Sequence, residues 1–437
     1  MKRVLATFMG IALLLCSIGC RTAPQSSEGQ MQQLPSTDTS SEPMNEGDAD
    51  RKGGMMIDPA PPSVAQERTP VEDYADFAAL VSAAYLYGTD QNKMISPVSL
   101  YMALAMVAQA ASGDTQAELM NLLGEDSAQS LNLSADLINR TIVQENKDAL
   151  LTIANALWCN KNLGVKDEFK TMVENSYGAD VFDVLMNNAD TWEQMSQWVS
   201  DNTKGTLVPD FQFDDLDLLV LMSTIYLKDA WAEPFDKNSN SDDVFTKADG
   251  TTVTATYMHK SFLDSTLYLG DSFARFTLQT GTLGAKVHFI LPLEGYSAND
   301  FLTNPQTFEN ALLGGKEETF SVDVSLPTFS FEDEMELNGL LDSLGVHRAF
   351  DLDKAEFSNA TDGDAYLSKV AQQTCISIDE QGIEASGFTE AVISTRGVNI
   401  SHSPKYDFSL DRPFVFAITS DNGTVLFVGA VNDPTQN

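Results

Sequence analysis

Read from its N-terminus, the chain changes its pattern of apolar and polar positions more than once. Val4 to Cys16 is a short apolar run behind Lys2 and Arg3, too short to span a bilayer as a helix. Residues 21–70 show no helical or strand period and no aromatic side chain. From Val71 onward, periodic segments follow one another to the C-terminus. Tyr74 to Tyr87 sets Phe77, Leu80, Val81 and Ala84 on one stripe, the spacing of an amphipathic helix. Ser96 and Pro97 open a second helix as cap and first helical residue, and the residues after them are apolar almost all round, which predicts burial. Asp114 or Thr115 is placed to cap the next helix. Leu218 to Trp231 is nearly continuous apolar sequence, the mark of a strand buried on both faces. Phe245 to Met258 alternates about Asp249-Gly250 and predicts a hairpin. Strands are expected over 285–291 and 321–326, and a capped helix over 337–344, ended by Gly345.

One stretch, residues 379–397, fits two structures. Every second residue from Ile383 (Ile383, Ala385, Gly387, Thr389, Ala391, Ile393) is small or apolar, while the intervening set begins with Glu384 and Ser386 and becomes mixed later. That is the period of a strand with one buried face. Gly382, Gly387 and Gly397 weaken any strand, so the stretch reads as strand or loop depending on state.

About 367 residues follow position 70 with no second linker, internal repeat or low-complexity break, which favours one large domain. The segment before it cannot bury enough apolar surface to offset its ordering entropy and reads as a flexible tether with a reach of roughly 40 Å. Six of the 26 basic and eight of the 63 acidic residues precede Val71, leaving about −35 on the rest. Charge of that sign excludes nucleic acid and anionic membrane surfaces as partners and favours basic ones. Of the four cysteines, Cys16 falls in the N-terminal run, and Cys159 and Cys375 lie in apolar strand-like runs that suit buried free thiols, with pairing as the alternative. His259, His288, His347 and His402 are scattered, with no zinc spacing, no nucleophile elbow and no phosphate-binding glycine loop. The acidic pairs Asp214-Asp215, Asp242-Asp243 and Glu317-Glu318 read as solvated surface. No metal, cofactor or enzymatic chemistry is expected.

Residues 1–20 read as an export signal, and Ser17-Ile-Gly-Cys20 resembles a bacterial lipobox, with Ser17 in place of the usual leucine. The likeness implies cleavage before Cys20 and acylation of that cysteine, the alternative being ordinary cleavage and secretion. The expected organisation is a signal peptide over 1–19, a lipidated tether over 20–70 and a folded domain over 71–437, held in the bacterial cell envelope, periplasmic or at the surface.

Asp379-Glu-Gln-Gly-Ile-Glu-Ala-Ser-Gly387 closely resembles the hinge of the reactive-centre loop in serpins. Other stretches resemble that family in the same order: Asn92 with Ser96-Pro-Val-Ser99, Gly113 to Leu119, Ile153 to Trp158, Phe169 to Gly178, Trp192 to Trp198, Thr203 to Pro209, the strand ending at Trp231, Phe408 to Ile418, and Val425 to Pro434. The resemblance runs from about residue 74 to 434. It implies an α+β serpin fold of three β-sheets and about nine helices, with an exposed loop that inserts into the central sheet once cut. Its hinge would be Glu380, Gly382, Ile383, Glu384, Ala385, Ser386 and Gly387. The family's count from Glu380 puts the scissile bond at Arg396-Gly397, with Ser394, Thr395 and the His402 region as runners-up. An arginine there suits a trypsin-like serine protease, trapped as a covalent complex. Ser96, Ser99, Ser223, Trp231 and Gln372 would surround the region where the sheet opens.

Departures from the family pattern bear on mechanism. Ser223 and Gln372 replace an asparagine and the histidine that pairs with it, which leaves open a hydrogen bond between the two replacements. Ile383 is bulky for a first inserted residue and is expected to slow insertion. Around 134–150 only Arg140 and Lys147 are basic, which argues against glycosaminoglycan binding. The resemblance implies a monomeric protease inhibitor; a non-inhibitory carrier or substrate-type serpin, and an unrelated acidic surface-binding lipoprotein, are the alternatives.

Overall fold

The structure, a computed structural model of the full chain, describes residues 10–20, 70–146, 149–383 and 403–436. It opens with β1 (Gly10–Cys20), the apolar run read above as the core of a leader. The tether expected over 20–70 lies, apart from its two end residues, outside the described part. Then come α1 (Pro70–Leu86), β2 (Lys93–Ile95), α2 (Pro97–Ala110), α3 (Gly113–Leu123), α4 (Ala128–Ile142), β3 (Gln144–Glu145), β4 (Leu150–Asn160), α5 (Asp167–Tyr177), β5 (Asp180–Val184), α6 (Ala189–Asn202) and β6 (Asp217–Ala230). The chain continues through β7 (Ser241–Thr246), β8 (Thr252–Leu269), β9 (Phe273–Gln279), β10 (Lys286–Pro292), α7 (Asn299–Leu302), α8 (Pro305–Leu313), β11 (Lys316–Pro327), β12 (Phe329–Glu336) and α9 (Asn338–Ser343). It closes with β13 (Ala365–Ile378), β14 (Gly382–Ile383), β15 (Lys405–Ser409), β16 (Phe414–Thr419) and β17 (Val425–Val431).

The strands form two hydrogen-bonded sheets among the described residues. In the central sheet, β12 pairs β13 and β4 pairs β6, while β1 and β14 lie between β13 and β6 and pair with both. The other sheet runs β15-β11-β8-β9-β10-β16-β17-β2, with β7 on β8. Two of the three expected sheets are thus joined. The reason is the 18-residue length of β8: its first half pairs β7, its last residues pair β9, and β11 follows it almost throughout.

Helix α2 is buried along its whole length and packs on β6 and β1 on one side and β17 on the other. Its start follows the sequence: Ser96 is extended and its Oγ accepts from the Ser99 N–H (3.4 Å), with Pro97 next. Helix α3 departs from expectation. Neither Asp114 nor Thr115 caps it; Ser112 holds the cap position but its Oγ accepts from Ser358 Oγ (2.8 Å) rather than from the helix, and Glu356, 242 residues away, accepts from the Asp114 N–H instead (3.1 Å). Gly113, at φ +56°, leaves room for that carboxylate, whose oxygens stand within 2.8 Å of where a Cβ would lie. Helix α9 likewise has no side-chain cap, because its cap position is Leu337, which offers no acceptor, and the adjacent Asn338 turns its amide to β13 (Val370 N–H to Asn338 Oδ1, 2.7 Å). Cys159 and Cys375 are both buried and neither is in a disulfide; they lie on strands β4 and β13, and burial pushes the Cys159 thiol up to about 12. Strands β6 and the slot separate them, roughly 14 Å of sheet, well beyond disulfide reach.

His288 sits between Thr277 Oγ1 (2.9 Å from Nδ1) and Thr419 Oγ1 (3.1 Å from Nε2), and burial pulls its pKa down to about 3. An unfolded histidine titrates near 6.5, so on acidification only the unfolded chain takes up this proton. The folded state should therefore lose stability as pH falls from 6.5 towards 3, with a limiting slope of about 1.4 kcal/mol per pH unit. Urea midpoints of the wild type and His288→Gln check this: the variant should show the shallower pH dependence over that window.

Candidate functional site

The site is the slot between β6 and β13. Both walls are buried strands already paired on their outer sides, so their inner edges must find partners within the slot. At its upper end β13 turns back on itself. The Asp379 carboxylate accepts from the N–H groups of Gln381 (2.8 Å) and Gly382 (3.2 Å), and the Asp379 N–H reaches the Gly382 carbonyl (3.2 Å). Burial raises the Asp379 carboxyl above the ordinary range, with the two N–H donors opposing it. Aspartate followed three residues later by glycine is a local turn signal in the sequence.

The chain after β6 holds this turn. Trp231 is buried; its Nε1–H donates to the Asp379 carbonyl (2.9 Å) and its backbone N–H to the Gln381 carbonyl (2.8 Å). Phe235 N–H donates to the Glu380 carbonyl (2.9 Å), and the Asn240 amide meets the Glu380 carboxylate. Ile383 is fully buried, facing Ile378 on β13 and Asp229 on β6. The residue expected to resist insertion thus already occupies the top of the slot. Gly382, at φ +157°, makes this approach: a Cβ there would stand 2.7 Å from the Ala230 Cα and closer still to the Asp229 carbonyl oxygen.

Lower down, the polar residues expected near the opening divide into two groups. Gln372 on β13 clasps Ser96: the Ser96 N–H donates to Gln372 Oε1 (2.8 Å) and Gln372 Nε2 donates to the Ser96 carbonyl (3.1 Å). Ser96 Oγ donates to the Leu426 carbonyl (2.9 Å) and lies 3.3 Å from Ser99 Oγ. Thr374 adds a bond to the Met94 carbonyl (3.0 Å). Ser223 on β6 takes no part; its buried hydroxyl has no partner among the described residues. A Ser223–Gln372 bond does not form, because Leu14 of β1 is registered opposite both residues and holds their strands roughly 10 Å apart. Glu384, Ala385, Ser386, Gly387, the bond Arg396-Gly397, and the runners-up Ser394, Thr395 and His402 lie outside the described residues. Cys20 ends β1, opposite Ala365.

Comparison with known proteins agrees with this architecture. The family description "Serpin (serine protease inhibitor)" matches residues 73–434. The chain is 28% identical to the human leukocyte elastase inhibitor over 361 residues, 78% of this chain and 93% of that protein. Among solved structures it is similar to tengpin, a thermophilic serpin, in its native state (TM-score 0.73, 28% identity, 83% of this chain and 94% of that one). It is also similar to human thyroxine-binding globulin in complex with thyroxine (TM-score 0.70, 25% identity, 84% of this chain and 98% of that one). The chain belongs to the serpin family, whose members are mostly protease inhibitors rather than enzymes and generally form covalent complexes with serine proteases.

Two substitutions separate the roles of the slot residues. Gln372→Ala strips the partner from the buried Ser96 N–H, while the Ser96 carbonyl keeps the Leu100 N–H (3.2 Å), and should cost about 1–3 kcal/mol; Ser223→Ala removes a hydroxyl with no partner among the described residues and should be neutral or mildly stabilising; denaturant midpoints distinguish them. Gly382→Ala drives a methyl into the β6 backbone and should cost about 1–3 kcal/mol, read as a lowered thermal midpoint.

Proposed function

We propose that this serpin inhibits trypsin-like serine proteases as a suicide substrate. The observation that carries the reading is the seating of Ile383 between β13 and β6, which starts the strand that the rest of the loop would continue. The protease serine attacks the Arg396 carbonyl, an ester forms between them, and the Gly397 amine leaves as a new N-terminus. The freed segment from Glu384 onward then follows Ile383 into the slot and gains a ladder of backbone bonds on both sides. Inhibition depends on a race: insertion must carry the acyl-enzyme away before water hydrolyses the ester. The uninserted fold is therefore held kinetically rather than as the most stable arrangement.

The same reading places the protein outside the cytoplasm of a bacterium, attached to an envelope membrane through an acylated Cys20, with residues 21–70 as tether. The likeness to thyroxine-binding globulin supports a second reading, a serpin that carries a ligand and traps no protease.

Incubating the full chain, processed at its N-terminus, with trypsin separates the two readings. The inhibitor gives an SDS-resistant band at the summed mass, lost with Arg396→Ala or a serine-blocked protease, and a released peptide beginning at Gly397. Loop cleavage with undiminished protease activity and no rise in thermal midpoint supports the carrier.

A further inference from the structure

The slot is already filled below Ile383, and its occupant is the N-terminus of the same chain. Strand β1 pairs antiparallel to β13 from Ile11↔Cys375 to Cys20↔Ala365 and to β6 from Gly10↔Leu227 to Gly19↔Asp217. Strand β14 runs in the same direction between the same walls, with Ile383 opposite Ile378 and Asp229. The two lie on one strand line. Carrying the β14 register forward would set Ser386 opposite Cys375 and Tyr226, the pair now facing Ile11. It would set Thr389 opposite Gln372 and Ser223, the pair now facing Leu14. A single register position, facing Lys228, separates Ile383 from Gly10.

The sequence suits this position. A central slot between β6, buried on both faces, and β13, buried on one face and half-buried on the other, favours an uncharged strand without proline, and Gly-Ile-Ala-Leu-Leu-Leu-Cys-Ser-Ile-Gly-Cys meets that requirement. The competing loop stretch would bring Glu390 into the same sheet.

We infer that residues 10–20 are a self-derived plug for the loop's own insertion slot, so that the unprocessed chain cannot take up its loop and removal of this run arms it. The inference rests on the inhibitory reading for its purpose, but its geometry is independent of any protease. Cleavage before Cys20 would remove nearly all of the plug, which ties arming to processing at the N-terminus.

Hydrogen exchange on the full chain with an intact N-terminus tests the plug directly. Backbone amides of residues 11–18 should exchange at least about a hundredfold more slowly than in the urea-unfolded chain, as expected for central-sheet positions. Exchange at the unfolded rate overturns the proposal. Uptake of a labelled synthetic peptide of residues 384–396 tests blocking. The wild-type full chain should exclude it, whereas Leu14→Pro, which removes a ladder donor from the middle of β1, should bind it and melt at higher temperature once loaded. Equal uptake by wild type and variant, at any level, overturns blocking. Neither readout uses a protease, so failure to trap trypsin would count against the inhibitory function and leave the plug standing.

Discussion

Two strand edges that face each other across one strand's width are the constraint on which this structure turns. β6 and β13 are each committed on their outer sides, and both lie in the core. Their inner N–H and C=O groups are beyond water, so leaving them open would cost far more than the domain's net stability. The slot must close on itself or accept a strand. Everything functional about the fold follows from which strand that is. Ile383 takes the first position and the N-terminal run the rest.

The walls are not equivalent. β13 is tied to the start of α2 and to β2 through Gln372 and Thr374, and Asp333 on β12 adds bonds to Tyr85 (2.7 Å) and the Met94 N–H (2.9 Å). On β6 the hydroxyl of Ser223, and on β4 the Oδ1 of its neighbour Asn155, have no partner among the described residues. The polar contacts that brace the slot against opening are thus concentrated on one side. At the top, Trp231 and the backbone of Phe235 grip the turn from Asp379 to Gln381 through its carbonyls, so the hinge is positioned by backbone bonds more than by side-chain identity.

Much of this was legible in the sequence where the signal is local. The cap of α2, the Asp249-Gly250 hairpin and the double-sided burial of β6 each rest on a few neighbouring residues. The stretch from Asp379 to Ile383 and the tryptophan beside it were singled out through their resemblance to a family, and Trp231 bonds the carbonyls of Asp379 and Gln381; Glu384 to Gly387 lie outside the described residues. The cap of α3 was not legible, because its acceptor comes from Glu356, brought near only by folding. Nor was the partner of Gln372: two side chains that might have bonded each other are held apart by a strand whose sequence pattern pointed elsewhere.

The sequence by itself determined the order of helices and strands, the burial of α2 and β6 and the strongly acidic composition, because propensity, periodicity and charge are properties of short windows. The tertiary structure decided which strands become neighbours. An apolar run such as Gly10–Cys20 has no period to mark it as leader or strand; only the unfilled edges of β6 and β13, brought into line from distant parts of the chain, give it a place.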